Sequence, residues 1–213
     1  TPATAVNWTF ENLEKEDGLS LTAREAVTTG HAAARNLLDV ITHLLDAAQI
    51  EDGRFGYSFA PINLTAFLDT ILGQSMPIAK QYGVNIYFDR PQEAVTVSAD
   101  AAKLGMAIAN MVDNGIKYNS EGGNVTVVLK AQSSNAEIEI KDTGAGIAEA
   151  DMPKLFQKFY RGEGTMKKVT GGSGLGLYLA KNIIEGHKGI IRVESVEGRG
   201  TTFFITIPLI TNN

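Results

Sequence analysis

The stretch Asn110-Met-Val-Asp-Asn-Gly-Ile-Lys-Tyr118 lies near the middle of the 213-residue chain and combines a helical pattern with an unusual set of polar side chains. Asn110, Asn114 and Lys117 recur at i, i+4 and i+7, which places them on one face of a helix. Two amide oxygens and an ammonium group on one face suit a hard cation such as Mg²⁺ together with phosphate groups. A solvated polar face has the same spacing, so this trio alone leaves both interpretations open.

Two glycine-rich stretches follow further along the chain. Asp142-Thr-Gly-Ala-Gly146 comes directly after a predicted strand. A carboxylate there can accept a hydrogen bond from an exocyclic amine, and the two glycines let the backbone approach a flat ring. The stretch 171–177, Gly-Gly-Ser-Gly-Leu-Gly-Leu, opens a predicted helix, whose free N–H groups and positive end favour anions. A tight turn and a flexible entry loop are the respective structural alternatives.

The stretch 154–168 between these two motifs is strongly basic. Its five basic residues are Lys154, Lys158, Arg161, Lys167 and Lys168, and its one acidic residue is Glu163. A basic segment flanked by glycines is typical of a lid that covers phosphates, although an ordinary solvated loop has the same composition. Two other nucleotide motifs are excluded, because the chain has neither a Gly-Lys dipeptide nor a G-x-G-x-x-G sequence.

The residues around these motifs alternate between strand and helix patterns. We predict strands at 55–59, 84–88, 95–97, 124–130, 136–141, 190–196 and 201–207. We predict helices from Asn63 to about Tyr82, from Ala99 to about Tyr118 with Ser98 as the cap, and from Ser173 to His187. This order predicts the α+β class: a two-layer α/β sandwich with helices on one face of a mixed, largely antiparallel sheet.

The first 53 residues differ in charge and in pattern from the rest. They hold three basic and nine acidic residues, whereas residues 54–213 hold sixteen and fifteen, so a domain boundary is expected near Gly53. We predict two helices, the second with a heptad seam of apolar and small residues: Val27, Gly30, Ala34, Leu37, Ile41, Leu44 and Ala48. Such a seam favours a four-helix bundle with a second copy, and a core helix packed on the following domain is the alternative.

Composition excludes several classes of protein. The chain has no cysteine, which rules out disulfides and thiolate sites and suits a reducing compartment. Its three histidines lack zinc-like spacing, and no apolar run approaches the roughly 20 residues of a membrane-spanning helix. The start of the chain has no signal-peptide pattern, and the net charge of −5 argues against nucleic acid as the main partner.

Taken in order, the motifs resemble those of the ATP-binding catalytic domain of sensor histidine kinases. That domain belongs to the GHKL superfamily, together with gyrase, the mismatch-repair ATPases and the large heat-shock chaperone. The stretches 110–118, 142–146, 155–161 and 172–177 are similar to its N, G1, F and G2 boxes, and 200–203 resembles its closing strand. Residues 54–213 correspond to the catalytic domain, and residues 1–53 resemble the dimerisation and phosphotransfer hairpin.

The resemblance implies the site residues one by one. Asn114 is expected to ligate Mg²⁺ with help from Asn110, and Lys117 to contact phosphate, which makes these three the expected catalytic residues. The residues expected to bind ATP are Asn114, Lys117, Tyr118, Asp142, Gly144, Gly146, Phe156, Phe159, Arg161, Gly172, Gly174, Leu175, Gly176 and Thr201. Within this set, Asp142 would bind the adenine amine, supported by Thr201, and both phenylalanines would anchor the lid. Gly115 departs from the alanine usual in the family.

The resemblance also implies the activity and the partners. The expected activity is that of a protein-histidine kinase, the expected ligands are ATP and Mg²⁺, and the expected partners are a second copy and a response-regulator receiver domain. No contact with nucleic acid or membrane is expected, and the expected location is the cytoplasm, with a parent protein that can be membrane-anchored.

One departure from the family pattern concerns the phosphoacceptor. The family places this histidine four residues before a Thr-Pro, and residues 1–213 begin at Thr1-Pro2, so this chain alone is not expected to phosphorylate itself. A pseudo-kinase or nucleotide-sensing dimerisation module is therefore an alternative. An ATP hydrolase is a weaker one, because Asn110 stands where gyrase-like members have the glutamate that activates water.

Overall fold

A computed structural model describes residues 2–16, 18–162 and 172–210. The described chain opens with a helical hairpin of α1 (Pro2–Leu13) and α2 (Leu21–Glu51). The Ser20 hydroxyl caps α2 by accepting a hydrogen bond from the Ala23 N–H at 3.2 Å. With 31 residues, α2 is about 46 Å long and extends far beyond the short α1.

Because α1 is short, it covers only the first half of the α2 seam. Gly30 faces the Phe10 ring so closely that any side chain at position 30 would collide with that ring, and Ala34 is buried. Leu37, Ile41 and Leu44 in the second half are 56%, 38% and 50% exposed. The seam is therefore partly satisfied within the hairpin and partly open.

The described ranges contain seven strands in two sheets. The strands are β1 (Ala60–Asn63), β2 (Asn85–Asp89), β3 (Thr96–Ala99), β4 (Asn124–Gln132), β5 (Asn135–Asp142), β6 (Ile190–Val196) and β7 (Gly200–Pro208). The main sheet has the order β2-β4-β5-β7-β6, with β2 parallel to β4 and every other pair antiparallel. Strands β1 and β3 form a separate antiparallel pair.

Three further helices cover one face of the main sheet: α3 (Leu64–Tyr82), α4 (Ala101–Lys117) and α5 (Gly176–Gly186). Alternate residues of the central strands, such as Val127 and Ile138, are fully buried beneath them. Helix α4 packs against both α3 and α5, and it also contacts β4 and β5. The predicted α+β class is thus confirmed, and the two motif-bearing helices lie side by side on the sheet.

The end of α2 also contacts this second layer. Ala47 is 4% exposed within the same apolar core, and Lys158 forms an ion pair with Glu51. The domain boundary predicted near Gly53 remains a prediction. The last turn of α2, just before this position, packs on residues that follow it in the chain.

One predicted strand does not form, and two predicted helix starts differ from the structure. The alternating Phe55, Tyr57 and Phe59 form no strand, and β1 begins at Ala60. Their alternation reflects packing instead, because Tyr57 and Phe59 both place their rings against His187, at 5.4 and 5.2 Å between centroids. The His187 Nε2 in turn accepts the Asp100 N–H at 3.0 Å.

The other two differences concern helix starts. Helix α4 is capped by Asp100 rather than Ser98, because β3 continues through Ala99 and the Asp100 carboxylate then accepts the Lys103 N–H at 3.1 Å. Helix α5 begins at Gly176 rather than Ser173, whose hydroxyl accepts the Leu175 N–H in the turn before the helix. None of the helices in the described ranges is long and apolar enough to cross a membrane.

Candidate functional site

Asp142 is the last residue of the central strand β5, and it is buried, with 9% of its surface exposed. One carboxylate oxygen, Oδ1, accepts the Gly144 N–H at 2.7 Å and the Thr201 N–H at 3.2 Å. Within the described parts of the chain, no hydrogen bond is made to the second oxygen, Oδ2. The group is therefore fixed through one oxygen, and the other is left to accept a donor from a ligand.

Two opposing effects act on the ionisation of this carboxyl group. Burial raises the pKa of Asp142 above its usual 3.8, because water no longer solvates the charge. The hydrogen bonds from Gly144 and Thr201 lower the pKa but do not cancel the effect of burial. The site thus holds an acidic group whose negative charge is costly in the absence of a partner.

The loop after Asp142 is tied to the end of α4. The Ala145 N–H donates to the Tyr118 carbonyl at 3.0 Å, where Tyr118 caps the helix. A Cβ atom on Gly144 would lie 2.6 Å from that same carbonyl oxygen, so only glycine permits this approach. Gly146, half-buried with φ at +67°, completes the loop.

The polar face of α4 lies beside this loop. Asn110, Asn114 and Lys117 are half-buried, and Lys117 forms an ion pair with Asp113 at 3.4 Å. The Asn110 Nδ2 donates to the Gly176 carbonyl at 3.4 Å, which ties α4 to the start of α5. The predicted trio therefore shares one face, adjacent to the first residue of α5.

The start of α5 has the features of an anion site. No side chain in the described parts of the chain caps its first turn, and its N-cap residue, Leu175, is fully buried. Gly174 adopts φ of +69°, and a Cβ atom there would lie 2.7 Å from the Phe159 carbonyl carbon. The free N–H groups and the positive end of α5 are thus open to a negatively charged ligand.

The segment 155–161, which the sequence analysis assigned to a lid, is only partly packed. Phe156 lies against the core with Lys181 near its ring, whereas Phe159 is 62% exposed and has a positive φ of 61°. Arg161 is half-buried next to Gly172. Phe156 thus has the contacts expected of an anchor, and Phe159 lacks them among the described residues. Residues 163–171, with Glu163, Lys167 and Lys168, lie outside the described ranges, as does Thr1.

Two residues that the sequence analysis did not identify complete the hydrogen bonding around Asp142. The Asn119 side chain donates to the carbonyl groups of Gly115 and Asn124 at 3.0 and 3.1 Å, and it accepts the Thr143 hydroxyl at 3.2 Å. Ser195 contacts the Thr201 hydroxyl at 3.0 Å and lies directly opposite Thr201 in the β6–β7 register. That hairpin register was the signal in the sequence that could have identified Ser195.

The donor set fits a magnesium ion that is held mainly by phosphate and water. The described residues contain no group of three or more His, Asp or Glu side chains suited to a metal. The α4 face contributes the amides of Asn110 and Asn114, and Mg²⁺ accepts amide oxygens while retaining several non-protein ligands.

Comparison with known proteins agrees with this geometry. The family described as histidine kinase-, DNA gyrase B-, and HSP90-like ATPase matches residues 99–211, which contain α4, the Asp142 loop and α5. A histidine kinase of Formosa agariphila is 33% identical over 180 residues, 83% of this chain and 13% of its own length. The circadian input-output histidine kinase CikA of Synechococcus elongatus is 30% identical over 97% of this chain and 27% of its own length.

Solved structures show the same fold. The crystal structure of full-length ShkA in complex with AMPPNP superimposes with a TM-score of 0.80, covering 99% of this chain and 43% of that one at 24% identity. The chain therefore spans less than half the length of each of these three proteins.

Replacing Asp142 with asparagine should stabilise the free protein at neutral pH. An amide keeps the oxygen that accepts the Gly144 and Thr201 N–H groups and removes the buried charge. Because the folded pKa of Asp142 is raised, this carboxyl favours folding below 3.8 and loses that contribution as the pH rises through the folded pKa. The advantage of Asp142→Asn should therefore be largest at neutral pH and shrink on acidification.

Urea unfolding of both proteins between pH 4 and pH 8 measures this difference. The exposed Asp89 provides the control, since Asp89→Asn should leave the unfolding free energy within about 0.5 kcal/mol at every pH. A variant less stable than the unaltered chain at pH 8 would contradict the expectation.

Proposed function

The chain belongs to the family of histidine kinase-, DNA gyrase B- and HSP90-like ATPases, and we propose that it is the ATP-binding kinase core of a sensor histidine kinase in two-component signalling. The observation that carries the proposal is the buried Asp142 carboxylate, fixed through Oδ1 beside the polar face of α4. It provides a site for an amine next to a site for a cation and phosphates.

In this proposal, Asp142 accepts the exocyclic amine of adenine, with Thr201 beside it. Gly144 and Gly146 let the loop backbone approach the base, and Tyr118 lies along the nucleotide. A carbonyl in place of the amine would face the carboxylate with two acceptors and no proton between them. This arrangement supports ATP rather than GTP as the nucleotide.

The phosphates fit between α4 and α5. The free N–H groups at the start of α5, with Gly172, Gly174, Leu175 and Gly176, face the negative charge, and Lys117 and Arg161 add positive charge. Asn114 and Asn110 would hold Mg²⁺, which when bound neutralises charge on the phosphate oxygens. In the resting site, Lys117 is held by Asp113, so it is kept on this face before a nucleotide arrives. Phe156 would anchor the lid, and the exposed Phe159 would be the second lid residue.

The transfer step requires an acceptor, for which we propose a neutral imidazole. Its nitrogen attacks the γ-phosphorus while the bond from that phosphorus to the β–γ bridging oxygen breaks, and ADP leaves with the electron pair. Such a nucleophile needs no base, whereas hydrolysis does. Asn110 cannot take up a proton, and its amide donates to the Gly176 carbonyl, which favours a kinase over a hydrolase.

The assembly we propose is a homodimer through the hairpin. The half-exposed Leu37, Ile41 and Leu44 form one stripe on α2, and pairing two such stripes removes them from water. We further propose that the phosphoryl group passes to an aspartate of a response-regulator receiver domain and that these residues act in the cytoplasm.

Nucleotide binding tests the core of the proposal. Titration calorimetry should show one ADP site per chain in the presence of Mg²⁺ and a strong preference for ATP over GTP. Asn114→Ala should weaken Mg²⁺-dependent binding by about 10- to 100-fold, because a metal ligand is lost. Asn12→Ala, in the hairpin away from the site, should bind normally. Absence of binding at millimolar ADP would refute the proposal.

The dimer is tested on the open half of the seam. Leu37→Glu should weaken association by about a hundredfold or more, because a charge would be buried in an apolar interface. Thr42→Glu places the same charge on the opposite side of α2 and should leave the dimer intact. Sedimentation equilibrium measures both, and a monomeric unaltered chain at high micromolar concentration would show that the proposed bundle does not form.

The phosphoacceptor is tested with γ-labelled ATP. Residues 1–213 should stay unlabelled, because His31 and His187 are 5% and 3% exposed and both have their ring nitrogens engaged. A chain extended by the natural upstream helix should acquire an acid-labile, base-stable phosphohistidine, which Asn114→Ala should abolish. Labelling of His31, His43 or His187 in the shorter chain would contradict this expectation. An extended chain that binds ATP but stays unlabelled would favour the pseudo-kinase.

A further inference from the structure

Ser195 is a half-buried residue on β6 that contacts three groups of the Asp142 site through one hydroxyl. Its Oγ accepts the Ile147 N–H at 2.9 Å, which fixes the loop after Asp142. It donates to the Gly200 carbonyl at 2.9 Å, and it lies 3.0 Å from the Thr201 hydroxyl. This one oxygen therefore links the Asp142 loop to the start of β7.

Counting protons decides the direction of the third contact. A serine hydroxyl has one proton and two lone pairs. The Gly200 carbonyl can only accept, so the Ser195 hydroxyl donates its proton in a hydrogen bond to that carbonyl. One Ser195 lone pair accepts the Ile147 N–H. The remaining lone pair faces Thr201, so the proton between the two hydroxyls must come from Thr201.

This direction leaves Thr201 with lone pairs only. Thr201 is 6% exposed, and its backbone N–H already donates to the Asp142 Oδ1. With its hydroxyl proton directed at Ser195, the Thr201 Oγ1 has no proton left for a ligand. Asp142 and Thr201, which are joined through the Thr201 N–H, then offer two acceptors, the Asp142 Oδ2 and the Thr201 Oγ1.

We propose that Ser195 is a positioning residue that turns the Thr201 hydroxyl into an acceptor and so sets the preference for a purine with an exocyclic amine. This inference rests on the proposed nucleotide site. A primary amine brings two N–H bonds, one for each acceptor, whereas a ring carbonyl brings none. Without Ser195, the Thr201 hydroxyl is free to rotate and donate to a carbonyl, so discrimination between the two bases falls.

Binding of ADP and inosine diphosphate provides the test, because hypoxanthine has a carbonyl where adenine has the amine and lacks the second amine of guanine. The unaltered chain should prefer ADP, and Ser195→Ala should reduce the ratio of the two affinities by about tenfold. Ser195→Thr keeps the hydroxyl and should retain the ratio. Ser195→Cys, with a weakly hydrogen-bonding thiol, should lose it and serves if the alanine variant does not fold. Thr202→Val, the neighbour on the other face of β7, is the control and should keep the ratio.

A double-substitution cycle separates orientation from simple loosening of the loop. Thr201→Val should also lower the ratio, and adding Ser195→Ala to it should lower the ratio no further, because no hydroxyl remains to orient. Equal losses of ADP and inosine diphosphate affinity in Ser195→Ala would overturn the inference. So would an unaltered chain that binds both nucleotides equally well. No ADP binding by the unaltered chain would instead refute the nucleotide site itself, and this inference with it.

Discussion

The buried carboxylate of Asp142 is the group around which the rest of the site is arranged. A charge removed from water destabilises the fold unless donors replace the lost solvation. Here the donors are backbone N–H groups from two different segments, Gly144 in the loop that follows and Thr201 on the neighbouring strand. Both segments must therefore keep their positions for the charge to be tolerated, and this requirement fixes the end of the sheet.

The requirement extends outward through the neighbouring segments. Asn119 connects the end of α4 to Thr143, and Ser195 connects β6 to the loop at Ile147. Helix α4 approaches at Gly115, where a Cβ atom would lie 3.3 Å from the Cβ of Asp142. The same helix carries the polar face and contacts α5, so the surroundings of Asp142 and the start of α5 are joined through one helix.

Much of this could be predicted from the sequence, and the failures have physical causes. Alternation of apolar residues located β4, β5, β6 and β7, and composition located the glycine motifs, because both signals depend on neighbouring residues in the sequence. Alternation misplaced the first strand, since Tyr57 and Phe59 pack on His187, a residue far away in the chain, and Phe55 packs on Tyr57. The cap of α4 is predicted at Ser98, whereas Asp100 caps the helix, because the end of β3 at Ala99 depends on pairing with β1 and not on the local sequence. Ser195 looks like any strand serine until the hairpin register places it opposite Thr201.

The helical hairpin is only partly packed by its own two helices. Among the described residues, α2 packs on α1 along its first half and on the core at Ala47 near its end. The apolar stripe of Leu37, Ile41 and Leu44 between these contacts is exposed. The ion pair of Glu51 with Lys158 joins the end of α2 to the segment 155–161. Lys158 lies one residue before Phe159, and the Phe159 backbone is so near Gly174 that a Cβ atom there would lie 2.7 Å from the Phe159 carbonyl carbon. A continuous set of close contacts therefore links the end of α2 to the residues just before α5.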